Sequence, residues 1–325
     1  MSVNPSVLLG FRVLPSRAKT CMEQPPVQKD CRIGHVQYTL NIGRDRRGDG
    51  LEVSYEIDFN SWLEKVRSQR PLVHNITNLV VTNIAANALL SIGASPVMAY
   101  AKEEVADMAK IAGALSLNMG TLDDRVVESM LIAGKSANAA GVPVIFDPVG
   151  VGATPYRNQT ADEVVTQLKL TILRGNGGEI GALLGAGGTV KGVDAGEISP
   201  NLKSAILDFA KTHHTVVVVT GQEDYITDGE RILVLRNGHP LLAEITGSGC
   251  MLTALLGAFT AVVDRNAPLF AYADAAAACI TCYNVAGEIA AENAKGPGTF
   301  QAALFDALYN LKSEEVAKRA KIELA

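Results

Sequence analysis

From Phe59 onward, short runs of β-branched and other apolar residues alternate with segments whose apolar positions recur at helical spacing, the pattern of an α/β protein. The spacing predicts a helix over Ser61–Arg70 and a strand at Leu72–Val73 leading into His74-Asn75-Ile76-Thr77-Asn78. A second helix runs from Val80 to Ile92 and ends at Gly93. Ala94–Ala99 reads as extended and Glu103–Ala112 as helical. Further strands are expected at Ala114–Leu117, Pro143–Phe146, Thr171–Leu173 and Thr215–Val219, each ending near polar or glycine-rich residues. Asp224–Leu235 reads as a hairpin turning at Asp228-Gly229. Helices at Cys250–Val263, Leu269–Asn293 and Phe300–Ala320 complete the pattern. Because ligands of open α/β sheets gather at the carboxyl ends of the strands, the loops after these strands are the functional candidates.

Residues 1–57 differ. They lack sustained periodicity and contain Pro25-Pro26 and the cluster Gly43-Arg44-Asp45-Arg46-Arg47-Gly48-Asp49-Gly50. An unstructured extension ahead of a 58–325 domain is expected, or upstream sequence translated from too early a start. The second case is open because Arg46-Arg47 can be written AGG AGG, a ribosome-binding sequence, shortly before Leu51 and Val53, whose codons TTG and GTG can both initiate. Val7–Val13 is short and broken by Gly10 and Arg12, which excludes a secretory signal.

Composition narrows the class. A chain of 325 residues with 48% hydrophobic content is ample for one large α/β domain. With 29 basic against 34 acidic residues the net charge is −5, and no long basic run exists, so a nucleic-acid binder is excluded. Met251–Val263 and Ala275–Ala291 read as too short or too interrupted to span a bilayer. The five cysteines, Cys21, Cys31, Cys250, Cys279 and Cys282, have no disulfide-framework spacing, and a cytoplasmic location is expected. Cys279 and Cys282 form a C-x-x-C within an alanine-rich helical run with no second ligand pair nearby. Two buried thiols are expected there, ahead of redox or metal chemistry.

The chemistry concentrates in a few segments. Thr246-Gly247-Ser248-Gly249-Cys250 opens directly into an apolar helix. Glycines allow close backbone approach, and the free N–H groups and positive dipole end of the helix suit an anion. A glycine-rich cap over a small buried thiol explains the same pentapeptide. No G-x-x-x-x-G-K-[ST] occurs, and no G-x-G-x-x-G lies in the first βα unit, so P-loop and dinucleotide folds lose support. Asp147, in Asp147-Pro148-Val149-Gly150-Val151-Gly152, and Glu179, after Asn176-Gly177-Gly178, emerge at strand ends. Hard oxygen ligands of this kind suit Mg²⁺, although each alone is equally a helix or turn cap. Thr220-Gly221 ends a buried strand where a nucleotide would lie, and Arg174 offers five donors to a phosphate or to a surface carboxylate.

Seven stretches in this order resemble the hydroxyethylthiazole kinases, thiamin-pathway enzymes with the ribokinase-like fold. They are Pro71–Asn78, Gly93-Ala94-Ser95-Pro96-Val97-Met98-Ala99, Asp147–Gly150, Arg174-Gly175-Asn176 with Glu179, Lys191–Glu197, Thr246–Cys250 and Lys295–Phe300. The resemblance covers about Ser61 to Phe300 and leaves out 1–57. It implies a three-layer α/β/α architecture with a mostly parallel sheet, and ATP-dependent phosphorylation of the hydroxyl of 4-methyl-5-(2-hydroxyethyl)thiazole. It further implies that Arg174, Thr220 and Gly249 serve ATP, that Met98, Gly247 and Asn78 serve the thiazole alcohol, and that Asp147 and Glu179 serve Mg²⁺. Cys250 stands where sugar kinases of this fold place an aspartate base. A thiol has a higher pKa than a carboxylate and needs its helix start to lower it, so Cys250 is expected to be a modest base and not a nucleophile. The family's homotrimer, with sites between subunits, is implied as well. A related kinase acting on the pathway's hydroxymethylpyrimidine, a nucleotide-dependent dehydratase with a related sheet, and a binding protein without turnover are the rival readings.

Overall fold

The computed structural model describes residues 13–15, 35–44, 50–186 and 198–325, with side chains from Ile57 onward. The expected motif Lys191–Glu197 and the cysteines Cys21 and Cys31 lie outside the described residues. Three strands, β1 (Val13–Pro15), β2 (His35–Arg44) and β3 (Gly50–Asp58), form a separate antiparallel sheet in the order β1-β3-β2. The expectation of an unstructured extension is corrected for these residues. The missed signal is a period-two alternation, with Val36, Tyr38, Leu40 and Ile42 on one strand and Leu51, Val53, Tyr55 and Ile57 on the other. The remainder of 1–57 lies outside the described residues.

The chain continues through α1 (Phe59–Gln69), β4 (Leu72–Ile76), α2 (Thr82–Ile92), β5 (Ser95–Val97), α3 (Val105–Ile111), β6 (Ala114–Asn118) and α4 (Asp124–Ala139). Next come β7 (Val144–Asp147), α5 (Pro155–Gln167), β8 (Ile172–Asn176), α6 (Gly177–Leu183) and α7 (Pro200–His213). The hairpin β10 (Asp224–Thr227) and β11 (Ile232–Leu235) follows β9 (Val216–Thr220), with Gly229 at its turn in the left-handed region, φ 91°. Then come α8 (Ser248–Ala261), α9 (Leu269–Ala291), α10 (Pro297–Asn310), α11 (Ser313–Arg319) and β12 (Ile322–Leu324).

Nine of these strands form one sheet in the order β12-β11-β10-β9-β8-β7-β6-β4-β5, parallel from β4 to β9 and antiparallel beyond. The edge strands, β5 and β12, are three residues long. Strand side chains alternate between two cores: Val216 and Val218 join Ile145 and Ile172 on one face, whereas Val217 and Val219 join Phe146 and Leu173 on the other. Helices therefore cover both faces, and the strands must be apolar throughout, which is why they read as unbroken β-branched runs. Three layers result, as expected.

Two expectations about the C-terminal helices are corrected. Phe300–Ala320 is not one helix: Leu311 and Lys312 are extended, the buried Leu311 turns into the core, and Ser313 Oγ donates to Asn60 Oδ1 at 3.0 Å. The apolar run around Ala275–Ala291 belongs to the 23-residue α9, long and apolar enough to cross a membrane. However, 78% of its apolar window is buried inside the protein, so it is the core helix of the fold.

Chain order creates the crevice. From β4 the chain crosses outward to the edge strand β5, then returns to β6 on the other side of β4. This reversal opens a gap at the carboxyl ends of β4 and β6, the usual place for a ligand in a doubly wound sheet.

Candidate active site

Asn78 follows β4 and Asn118 ends β6, so the two face each other across the switch point, and Asn78 Nδ2 donates to Asn118 Oδ1 at 2.8 Å. The same amide donates to Cys250 Sγ at 3.3 Å, bringing together residues 172 positions apart. Asn118 Nδ2 in turn donates to Asp147 Oδ2, at the end of β7, at 2.8 Å. Thr253, one turn into α8, donates to that oxygen at 2.6 Å, and Arg174 Nη1 meets it at 3.3 Å. Arg174 Nη2 completes the line by donating to Thr220 Oγ1 at 2.6 Å. Five adjacent parallel strands, β4, β6, β7, β8 and β9, and the start of α8 thus deliver Asn78, Asn118, Asp147, Arg174, Thr220 and Cys250 to one connected network.

Glycines make the close approaches possible. Gly247, the residue ahead of α8, has φ 83°, and a Cβ there would stand 2.3 Å from Val81 Cγ1 and 2.8 Å from Ile84 Cδ1. A Cβ on Gly249 would stand 2.9 and 3.0 Å from the two terminal nitrogens of Arg174. No side chain caps α8, so its first-turn N–H groups are free to bind an anion beside the guanidinium.

Electrostatics distinguishes the two acids of this network. Asp147 is fully buried, and that burial pushes its carboxyl up to about 6, with Glu179 adding to the effect while Arg174, Thr253 and Asn118 oppose it. Its Oδ1 is buried without a partner in the protein. Burial also pushes the Cys250 thiol up, and the Asp147 carboxylate adds to it against Asn118, Asn78 and Arg174. The expectation of a lowered thiol is corrected: loss of water and the nearby Asp147 carboxylate hold it above its ordinary value.

The remaining predicted residues are placed less directly. Glu179 serves as a helix cap, with Oε2 accepting from Asn176 N at 2.9 Å in a capping box and Oε1 accepting from Gly150 N at 2.8 Å. It thereby ties the loop after Asp147 to the start of α6. Met98 lies just past the edge strand β5, half-buried and outside the network. His74, kept neutral by burial, donates from Nε2 to the Ala99 carbonyl at 2.9 Å and fixes the segment carrying Met98. The C-x-x-C thiols Cys279 and Cys282 are buried in α9, and burial pushes both well up.

Sequence reasoning missed Asn118, Thr253 and Arg157. Arg157 Nη1 donates to the carbonyls of Met119 at 2.7 Å and Val149 at 2.6 Å, and Nη2 to that of Gly120 at 2.8 Å, clamping the loops after β6 and β7. Asn118 carried a readable signal, a polar residue at a strand end two positions before Gly120. Thr253 carried a weaker one, a hydroxyl within an otherwise apolar helix.

Comparison with known proteins places the chain in a family. The model of the hydroxyethylthiazole kinase family matches residues 63–314. A hydroxyethylthiazole kinase from Moorella thermoacetica is 53% identical over 261 residues, covering 80% of this chain and 96% of that protein. The solved hydroxyethylthiazole kinase protein of Pyrococcus horikoshii OT3 superimposes with a TM-score of 0.74 at 42% identity, over 82% of this chain and 98% of that one. A ribokinase-like superfamily protein from Enterococcus faecalis shares the fold at a TM-score of 0.54 and 12% identity, over 74% and 88% of the two chains. With a family model spanning most of its length and a relative identical at more than half of the aligned positions, the chain belongs to the hydroxyethylthiazole kinase family.

Proposed function

We propose that this protein transfers the γ-phosphoryl group of ATP to the hydroxyethyl oxygen of 4-methyl-5-(2-hydroxyethyl)thiazole, in thiamin biosynthesis or salvage. The observation that carries the reading is the junction of Cys250 and the uncapped start of α8 with Arg174 and Thr220, within a chain of this family. Arg174 and Thr220 hold the nucleotide phosphates, and Gly249 lets the guanidinium reach them. The N–H groups of the first turn stabilise charge on the moving phosphoryl group. A P–O bond forms at the alcohol oxygen as the bond to the β,γ-bridging oxygen breaks, leaving ADP. The transition state of such transfers is loose and the alcohol keeps its proton until late, so the reaction makes light demands on a base. A raised thiol at Cys250 is compatible with that: it orients the alcohol, with Asn78, and takes the proton at the end.

Asp147 Oδ1, buried without a protein donor, fits a cation. Asp147 and Glu179 would hold Mg²⁺, which would neutralise phosphate charge; a metal kept by few carboxylates plus phosphates matches the absence of a larger ligand cluster among the described residues.

Met98 and Gly247 complete the alcohol pocket in this reading. Met98 on the sheet edge, with Leu79 and Val80 beside Asn78 at 77% and 68% exposure, supports a homotrimer in which a neighbouring copy closes the pocket. A cytoplasmic location agrees with the free thiols of Cys250, Cys279 and Cys282.

A coupled assay of ADP release, with the thiazole alcohol and the hydroxymethylpyrimidine side by side, tests the proposal. ATP-dependent turnover of the thiazole is expected. Turnover of the pyrimidine alone, or of neither, overturns it.

A further inference from the structure

Helix α9 is lined with alanine and other small or apolar residues where it crosses the core, yet two adjacent buried positions are polar: Tyr283, 3% exposed, and Asn284, 6% exposed. Burying a hydroxyl or an amide opposes folding unless each finds a partner. Both find one outside their own helix. Tyr283 Oη donates to the carbonyl of Ser248 at 3.0 Å, and Asn284 Nδ2 donates to Asp224 Oδ2 at 2.7 Å. The second oxygen of Asp224 accepts from the backbone N–H of Gly221 at 3.1 Å.

Neighbouring helix residues point about 100° apart, so the two bonds leave α9 in different directions. One reaches the glycine loop at the start of α8, two residues from Cys250. The other reaches, through Asp224, the turn after Thr220, whose hydroxyl holds Arg174. One turn of a rigid core helix therefore grips both loops from behind. Asp224 shows how tightly its end is enclosed: burial pushes its carboxyl up to about 6 against the Gly221 N–H, the Asn284 amide and the Arg174 charge.

We infer that Tyr283 and Asn284 are positioning residues that set the separation between the Ser248 loop and the Gly221 loop, and so the fit of the nucleotide phosphates between them. This rests on the nucleotide reading of the two loops given above. The two residues have separable effects. Asn284 acts on the loop that holds the bound nucleotide, and Tyr283 on the loop that meets the phosphoryl group in flight.

The test compares Asn284→Leu and Tyr283→Phe, which remove a donor at nearly constant volume, in the full-length protein with ATP and the thiazole alcohol. For Asn284→Leu the KM for ATP is expected to rise about tenfold, the loss of one hydrogen bond to a charged group, with kcat changed by less than about twofold. For Tyr283→Phe kcat is expected to fall about tenfold while the KM for ATP moves less than about twofold. Circular dichroism establishes that each variant is folded. Should Asn284→Leu fail to fold, the kcat effect of Tyr283→Phe decides. Folded variants with wild-type constants, or with kcat and KM shifted in parallel, overturn the inference while the proposed function stands. A wild-type protein that does not phosphorylate the alcohol overturns both.

Discussion

Replacing Asp224 with asparagine removes one buried charge almost without changing shape, and its effect on stability is set by pH. In the folded protein burial raises this carboxyl to about 6, against 3.8 for the ordinary group. The folded state thus holds the proton more tightly than the unfolded chain does. Above pH 6 the carboxylate is ionised in both states and its burial opposes folding; as the pH falls through 6 the folded group takes up a proton, and the penalty is gone once the unfolded group is protonated too, below 3.8. The gap between 6 and 3.8, at about 1.4 kcal/mol per pH unit, corresponds to roughly 3 kcal/mol. Asparagine is neutral throughout, and its oxygen still accepts from Gly221 while the Asn284 amide can turn its own oxygen toward the new donor. The stability of Asp224→Asn relative to wild type is therefore expected to be greater at about pH 7.5 than at about pH 4 by roughly 2.4 kcal/mol, because the unfolded carboxyl is still more than half ionised at pH 4. Urea unfolding of both proteins across that range measures it. Glu223 and Glu315, whose carboxyls are lowered by Tyr225 and Arg319 respectively, lose stability as pH falls, but equally in both proteins, so they cancel. A difference that stays constant with pH refutes the reasoning.

Three further substitutions probe the site. Gly247→Ala combines a left-handed φ of 83° with a Cβ 2.3 Å from Val81 Cγ1. Backbone strain of ~1–2 kcal/mol and crowding of ~1–3 kcal/mol predict a Tm lowered by roughly 5–15 °C in calorimetry, and an unchanged Tm contradicts the packing described. Gly249→Ala leaves the helix intact but drives the Arg174 guanidinium aside; the KM for ATP is expected to rise about tenfold without loss of Tm, and an unchanged KM removes Arg174 from nucleotide binding. Cys250→Ala is expected to lower kcat about tenfold without abolishing it, whereas Cys250→Asp stays active; unchanged turnover in the alanine variant removes the thiol from the chemistry.

Most of the α/β core was legible because its strands are buried on both faces. Val216–Val219 can be read as a strand from composition alone, and the carboxyl-terminal halves of such strands carry Asp147, Arg174 and Thr220. The network joining them was not legible. Thr253 meets Asp147 across 106 residues, and Tyr283 meets Ser248 across 35, contacts set by how α8 and α9 pack on the sheet and not by any local pattern. The state of the Cys250 thiol was misread for the same reason: the helix start is visible in the sequence, while the burial and the Asp147 carboxylate that raise the thiol are properties of the folded surroundings. Glu179 illustrates the converse, since its spacing from Asn176 announces a capping box as clearly as it does a ligand.

The two ends of the nine-stranded sheet bear on how the protein behaves at high concentration. An open sheet presents unpaired backbone groups along its outermost strands, and a long, flat edge is a template on which another chain's strand can grow. Here both outermost strands, β5 and β12, have only three residues. Each offers too short a ladder to seed an intermolecular strand, so the fold can keep a large, strongly apolar sheet while resisting edge-to-edge polymerisation.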